Sequence, residues 1–369
     1  MGLIVNPVAG LGGAAGLKGS DFPNVRELTA DREPVSPGRA RDAMNELARS
    51  SNNLVVVAAG GEMGEAAARD ARLKVVTVPH PEKKPTTAAD TRLAAKAIVK
   101  SGAEVLLFVG GDGTAVDIFE AVGASIPVLG IPSGVKMHSG VFALSPRAAA
   151  SVVRAYLDAA SPSVAMGEVL DVDEDLYRAG RILPRLRGMM RVPSGPRLVQ
   201  PPKGRGMVPD HVQVRMLAEA VARAMDPEST YVFGPGSTTA AVLESLGIPG
   251  TLLGVDVVRN RHLVAGDVDD RALAQAITGD AKVVVSPIGG QGFVFGRGNQ
   301  QISPDVLRRA GREGLLIVST EDKLIGLGGL PLRVDTGDRE LDGSIAGNGY
   351  IRVLTGPDAW MVYPIEAVP

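Results

Sequence analysis

Short apolar runs rich in branched residues punctuate the first part of the chain: Gly2–Val5, Leu54–Ala58, Val75–Val78, Val105–Val109 and Pro127–Ile131. Ala-rich stretches that read as helices, including Gly64–Arg72, Ala88–Val99 and Thr114–Val122, lie between them. Strands that are apolar throughout, rather than alternating, and that are separated by helices predict a parallel sheet covered on both faces. Ligands of such sheets bind beyond the carboxyl ends of the strands. Glycine collects at those ends here, in Asn6-Pro7-Val8-Ala9-Gly10, Gly60-Gly61-Glu62-Met63-Gly64 and Gly110-Gly111-Asp112-Gly113-Thr114.

Leu144 to Ala160 reads as a helix with Ser145 as N-cap and Pro146 in the first position, and is expected to link to a second domain. The alternation then resumes. Tyr231–Gly234, Leu252–Val258, Lys282–Ser286 and Leu315–Ser319 read as strands, and Ser237–Leu246, Arg271–Ile277 and Pro304–Arg312 as helices. The tail from Leu330 to Val368 reads as β-rich and turn-rich. The expected fold is α/β: a parallel-sheet domain over 1–145 and a second, mixed α/β domain with a β-rich tail over 146–369. Within the latter, residues 176–209 form a basic, Pro- and Gly-rich arm with eight Arg or Lys and no Asp or Glu. Two readings of the arm stand: an irregular solvated or subunit-contact segment, or a lid whose arginines meet an anionic substrate.

Composition narrows the chemistry. The 369 residues hold no cysteine, which excludes disulfides, thiolate metal sites and cysteine nucleophiles. His80, His138, His211 and His262 show no zinc-ligand spacing. A formal charge of -2 argues against nucleic acid as a partner. No apolar run approaches the ~20 residues that span a bilayer, and the start lacks a basic leader and cleavage site. A cytoplasmic protein, away from membranes and assembled as a homo-oligomer, is expected.

The most informative segment is residues 106–122, LLFVGGDGTAVDIFEAV, an apolar strand ending in Gly-Gly-Asp-Gly-Thr and turning directly into a helix. Glycines let backbone N–H groups approach a ligand, and a helix N-terminus favours anions, so the turn suits phosphate. Asp112 would repel a bare phosphate and fits a general base for a hydroxyl or a Mg²⁺ contact. Its bland reading is a helix cap.

Gly110-Gly111-Asp112-Gly113-Thr114 resembles the signature of NAD kinases and of the related diacylglycerol- and sphingosine-type lipid kinases. Asn6–Gly10 and Gly130-Ile131-Pro132-Ser133-Gly134-Val135-Lys136 also resemble segments of those enzymes. With Thr86–Thr91 and the stretch from Gly289 to Gln301, the chain is most similar, nearly end to end, to the ATP-NAD/AcoX kinase family, a divergent branch of the NAD kinases. The resemblance implies transfer of the γ-phosphoryl of ATP, or of polyphosphate, with Mg²⁺, to a hydroxyl: the 2′-OH of NAD, giving NADP. It places Asp112 as the residue that activates the hydroxyl, and Asn6, Gly10, Gly110, Gly111, Gly113, Thr114 and Lys136 at the nucleotide and its phosphates. Two departures concern the acceptor. The Asn-Glu or Asn-Asp pair that holds the substrate ribose has no clear counterpart, and the NAD kinase second domain is mostly β.

In the second half, Gly236-Ser237-Thr238 resembles a small NAD kinase motif and follows a strand at a helix start, which is itself an anion site or simply an N-cap turn. Gly290, Arg297 and Asn299 are candidates for phosphate or ribose hydroxyls, or parts of a glycine-rich turn held by amide side chains. His138 stands beside Lys136 as a phosphate contact or a structural residue. Asp90, Thr91, Glu62 and Glu65 open helices, where acidic residues suit the dipole. Gly10, Gly12 and Ala15, with Asp31 downstream, match a dinucleotide fingerprint, but the Gly- and Pro-broken sequence that follows is a poor helix. No Walker-type phosphate loop is present. Alternatives to an NAD kinase are a kinase of another small hydroxyl compound, a non-catalytic nucleotide-binding regulator, and a sugar-phosphate isomerase-like second half.

Overall fold

The computed structural model describes residues 1–11, 33–50, 53–79, 86–133, 137–172, 184–194, 211–288 and 291–368. They form two compact units, the first ending at Ser194 and the second starting at His211 among the described residues.

The first unit is built on five strands: β1 (Gly2–Val5), β2 (Val55–Ala59), β3 (Lys74–Val78), β4 (Leu106–Gly110) and β5 (Val128–Pro132). All pairs are parallel, in the order β3-β2-β1-β4-β5. β1, β4 and β5 are buried along their whole length, as a sheet covered on both faces requires. Helices α1 (Val35–Ser50), α2 (Glu65–Asp70), α3 (Ala88–Lys100) and α4 (Asp112–Val122) connect or cover them. α1 buries Ala40, Ala43, Met44 and Leu47, an i, i+3, i+4, i+7 stripe. A capping box starts α3: the Asp90 carboxylate accepts from Thr87 N at 2.7 Å and from Thr87 Oγ1 at 2.8 Å.

Helix α5 (Pro146–Asp158) begins as its sequence predicts, with Ser145 Oγ accepting from Ala148 N at 3.0 Å and proline in the first turn. It stays within the first unit, burying Ala148, Ala149, Val152 and Val153. The unit continues through an antiparallel hairpin of β6 (Val164–Val172) and β7 (Pro184–Pro193). Part of the basic arm is therefore regular strand rather than irregular chain. Pro184 and Pro193 fall at the two ends of β7, where a strand tolerates proline best. Gly188 lets β7 lie against α4, since a Cβ there would come within 2.0 Å of the Phe119 ring. Arg187 is engaged by Asp171, at 2.6 Å. Residues 176–183 and 195–209 of the arm lie outside the described residues.

The second unit holds a nine-stranded mixed sheet in the order β10-β9-β8-β11-β13-β15-β16-β14-β12. Its centre is parallel: β8 (Thr230–Phe233), β11 (Ala281–Val285), β13 (Leu315–Val318) and β15 (Tyr350–Gly356). β9 (Asp256–Arg259) and β10 (His262–Ala265) form an antiparallel edge hairpin. β16 (Ala359–Ala367) returns antiparallel to β15, followed by β14 (Leu332–Val334) and β12 (Phe293–Phe295). Helices α6 (His211–Ala224), α7 (Ser237–Ser245), α8 (Asp270–Ala276), α9 (Pro304–Ala310), α10 (Glu321–Ile325) and α11 (Arg339–Ala346) complete it. Tyr231 and Phe233 of β8 pack with Leu217, Val221, Val242 and Leu243 of α6 and α7, whereas Val232 joins a second core with Val283, Leu307 and Ile317. The fold is thus α/β with a parallel first sheet and a mixed second one.

One local expectation needs correction. The run Leu252–Val258 becomes strand only at Asp256. The buried Asp256 carboxylate accepts from Thr251 N, Thr251 Oγ1 and Asp267 N, which coils the preceding residues into a turn. The tail is β-rich as expected, with α11 set between its strands and capped by Asp338, whose carboxylate accepts from Leu341 N at 3.0 Å. Among the described residues no helix is long and apolar enough to cross a membrane.

Candidate functional site

In the first sheet the chain runs outward from β1 to β2 and β3, then returns to the other side of β1 with β4 and β5. The order reverses between β1 and β4, and such a reversal opens a crevice beyond the carboxyl ends of the two strands. Asn6 leaves β1 there, and Gly110–Thr114 leave β4.

The two turns are tied together. Asn6 N donates to Val109 O at 2.9 Å, and Asn6 Nδ2 to Thr114 Oγ1 at 3.1 Å. The amide oxygen of Asn6 accepts from Val8 N at 3.2 Å, and Ser36 Oγ donates to Asn6 O at 2.6 Å. Gly110 has no room for a side chain, as a Cβ would lie 2.3 Å from Thr114 Oγ1. Gly111 occupies the N-cap of α4 with no side-chain cap, which leaves the first N–H groups of the helix to a ligand or water.

The loop after β5 joins them. Ser133 N donates to Gly110 O at 3.0 Å. Gly10, at φ +86°, lies so close that a Cβ would be 2.5 Å from Ser133 O. The Ser133 side chain is 5% exposed, and its hydroxyl has no hydrogen-bond partner among the described residues. Asp112 is the first residue of α4 and is half-buried. Its carboxylate accepts from His138 N at 2.6 Å and from Ser139 N at 3.0 Å. It therefore reaches across to another loop instead of capping its own helix. That loop is itself held by β6: Leu170 N donates to Ser139 Oγ at 3.0 Å, and Gly140 N to Glu168 O at 2.9 Å.

The structure thus brings Asn6, Gly10, Gly110, Gly111, Asp112 and Thr114 to one crevice. Gly113 is exposed on the first turn of α4. Lys136 lies outside the described residues, as do Gly12, Ala15 and Asp31 of the dinucleotide-like run. His138 is buried and enters through its backbone N–H. At the end of β2, Glu65 staples a turn: its carboxylate, held down to about 2, accepts from Gly61 N first, then from Arg69 and Thr77.

In the second unit, Gly236 caps α7 with φ +145°, and its N–H donates to Leu252 O at 2.9 Å. Ser237 and Thr238 open the helix. Arg297 is buried, with its guanidinium 4.2 Å from the Phe293 ring centroid and 3.7 Å from Asp335 Oδ2. Asn299 closes a turn, donating to Val294 O at 2.8 Å and accepting from Gly296 N at 3.1 Å. Gly290 lies outside the described residues.

Residues 1–160 match the model of the ATP-NAD kinase N-terminal domain, and residues 226–365 match that of the ATP-NAD kinase C-terminal domain. The chain belongs to the ATP-NAD kinase family. No curated protein and no solved structure matches it. The first family domain contains every crevice residue named above, and the second contains the Gly236–Thr238 turn.

Ser133 is a further candidate that the sequence pattern does not single out, although it stands inside the family-like Gly130–Lys136 segment. A serine after a strand carries no signal by itself. Its place beside Gly10 and Gly110 comes from the order of β1, β4 and β5, which spacing along the chain does not encode.

Proposed function

We propose that this protein is a phosphotransferase that moves the γ-phosphoryl of ATP, or of polyphosphate, to a hydroxyl, foremost the 2′-OH of NAD to give NADP. The observation that supports it is the placement of Asp112. One carboxylate stands at a switch-point crevice, on the first turn of an uncapped helix, oriented by two backbone N–H groups from a different loop.

The reaction needs positioning and charge neutralisation more than covalent help from the protein. The first-turn N–H groups of α4, the glycine turn and the Ser133 hydroxyl would hold phosphate oxygens. Asp112 would take the proton of the acceptor hydroxyl as its oxygen attacks the γ-phosphorus. The bond from that phosphorus to the β-phosphate oxygen breaks, and ADP leaves. On the acceptor side, Gly236, Ser237 and Thr238 are the contacts we favour.

Among the described residues no three His, Asp or Glu side chains are grouped to hold a metal. Mg²⁺ commonly takes only one or two carboxylates and completes its shell with water and substrate phosphates. Asp112 with a nucleotide's phosphates fits that donor set, and the cation would neutralise charge on the transferring group.

The test is NADP formation from NAD, ATP and Mg²⁺ by the purified chain, with Asp112→Asn as control. Product from the wild type and not from the variant supports the reading. Nucleotide binding without turnover on any hydroxyl acceptor would make the protein a regulator instead.

A further inference from the structure

The second sheet has its own order reversal. From β8 the chain runs to β9 and β10 on one side, then crosses back to β11, β13 and β15 on the other. The reversal falls between the parallel neighbours β8 and β11, the position at which open α/β sheets hold ligands.

Three side chains meet there from three strand ends. Thr238, after β8 on the first turn of α7, is 1% exposed. Ser286, immediately after β11, is 5% exposed, and its hydroxyl lies 3.4 Å from Thr238 Oγ1. Lys323, on α10 after β13, donates from Nζ to Ser286 Oγ at 2.9 Å. The chain Lys323–Ser286–Thr238 thus carries an ammonium group into two buried hydroxyls beside the start of α7.

A further buried group lies next to this edge. A Cβ on Gly234 would sit 3.5 Å from Ile302 Cδ1, so the segment ending in Gln301 and Ile302 borders the turn that leads into α7. Gln301 is 3% exposed, and its Oε1 has no hydrogen-bond partner among the described residues. A buried amide oxygen left without a donor is costly, and of the groups on a phosphate only a protonated P–OH could supply one.

The geometry points to a phosphate-binding site of the second unit, formed by Lys323, Ser286, Thr238 and the first turn of α7. Lysine supplies a compact positive charge, the hydroxyls donate to phosphate oxygens, and the helix dipole favours the same sign of ligand. A tetrahedral oxyanion suits donors that arrive from three directions better than a planar carboxylate does. The inference extends the acceptor-side reading of Gly236–Thr238 to two further strand ends and names the ligand group. It does not require Asp112 to act as a base.

Isothermal titration of inorganic phosphate into the full chain tests it, comparing wild type, Lys323→Gln and Ser286→Ala. Lys323→Gln is expected to weaken phosphate binding about tenfold or more, the scale of one charge-assisted hydrogen bond. Ser286→Ala is expected to weaken it by a smaller factor, and acetate to compete poorly. The conservative serine change keeps the test open if the lysine variant fails to fold. Absence of phosphate binding by wild type, equal affinities in all three proteins, or acetate binding as well as phosphate would overturn the site. Turnover that is lost in Asp112→Asn while phosphate affinity is unmoved by Lys323→Gln sinks this inference and leaves the proposed reaction standing. Turnover retained in Asp112→Asn with phosphate affinity lost in Lys323→Gln does the reverse.

Discussion

Asn6 Nδ2 donates to Thr114 Oγ1 at 3.1 Å, so the turns leaving β1 and β4 are locked to each other across the crevice between them. Thr114 is nearly fully buried, and Gly110 has no space for a side chain beside it. Thr114→Val would keep the shape and leave the amide donor of Asn6 without its acceptor. The expected cost is about 1–3 kcal/mol in urea unfolding. Nucleotide affinity should fall with it. Unchanged stability would show that water replaces the hydroxyl freely.

Asp112 has two duties that one substitution can separate. Asp112→Asn keeps one carbonyl oxygen for the N–H groups of His138 and Ser139 and turns an NH₂ towards the other. Stability should drop by about 1–3 kcal/mol. Turnover should drop on the order of 10²-fold or more, the size of a lost general base. Near wild-type kcat in a folded variant would remove Asp112 from the proton transfer.

Ser133 offers a buried hydroxyl beside Gly10 and Gly110. Ser133→Ala removes a polar atom that the folded chain leaves unpartnered among the described residues, so the free protein should be as stable or slightly more stable. The cost should appear instead as weaker nucleotide binding, by roughly five- to tenfold. A thermal melt in the absence and presence of ATP separates the two effects. Equal ATP-induced shifts in wild type and variant would remove Ser133 from the ligand's contacts.

Glu65 gives a pH-dependent prediction. Its carboxylate is held down to about 2 by the Gly61 N–H, Arg69 and Thr77, against an ordinary value of 4.5. A lowered folded-state value means that the stabilisation is present above about 4.5 and is lost as the pH falls towards 2. Glu65→Gln should therefore lower Tm at neutral pH, and the gap from wild type should close through that window. A gap that is constant down to pH 2 would show that the turn is held by shape and not by charge.

Much of this was legible in the sequence, and the rest was not for identifiable reasons. Strands β1, β4 and β5 of the first sheet announce themselves because a strand buried on both faces is apolar at every position. The β4–α4 turn does so because only glycine tolerates the approach of Thr114 to Gly110. Strand β6 was missed because its burial is partial and its pairing partner is rich in arginine, proline and glycine. Helix α6 has a readable apolar stripe, with Leu217, Ala218 and Val221 buried, but it follows a long Pro- and Gly-rich run of sequence that hides its start. Asn299 left two readings open, a ligand contact or an amide that holds a glycine-rich turn, and its side chain is used on its own turn. Ser286 and Lys323 carry no motif at all. They meet only because β11 and β13 are neighbours in the sheet.

The hairpin of β6 and β7 changes what counts as the minimal working piece of this protein. The backbone that orients the Asp112 carboxylate is pinned by Leu170 and Glu168, and α4 is braced by the close approach of Gly188 to Phe119. A fragment ending at residue 160 would contain every letter of the glycine-rich signature and lack the hairpin that pins the loop aiming it. The motif is written in five residues, but its geometry depends on strands that begin more than forty residues later.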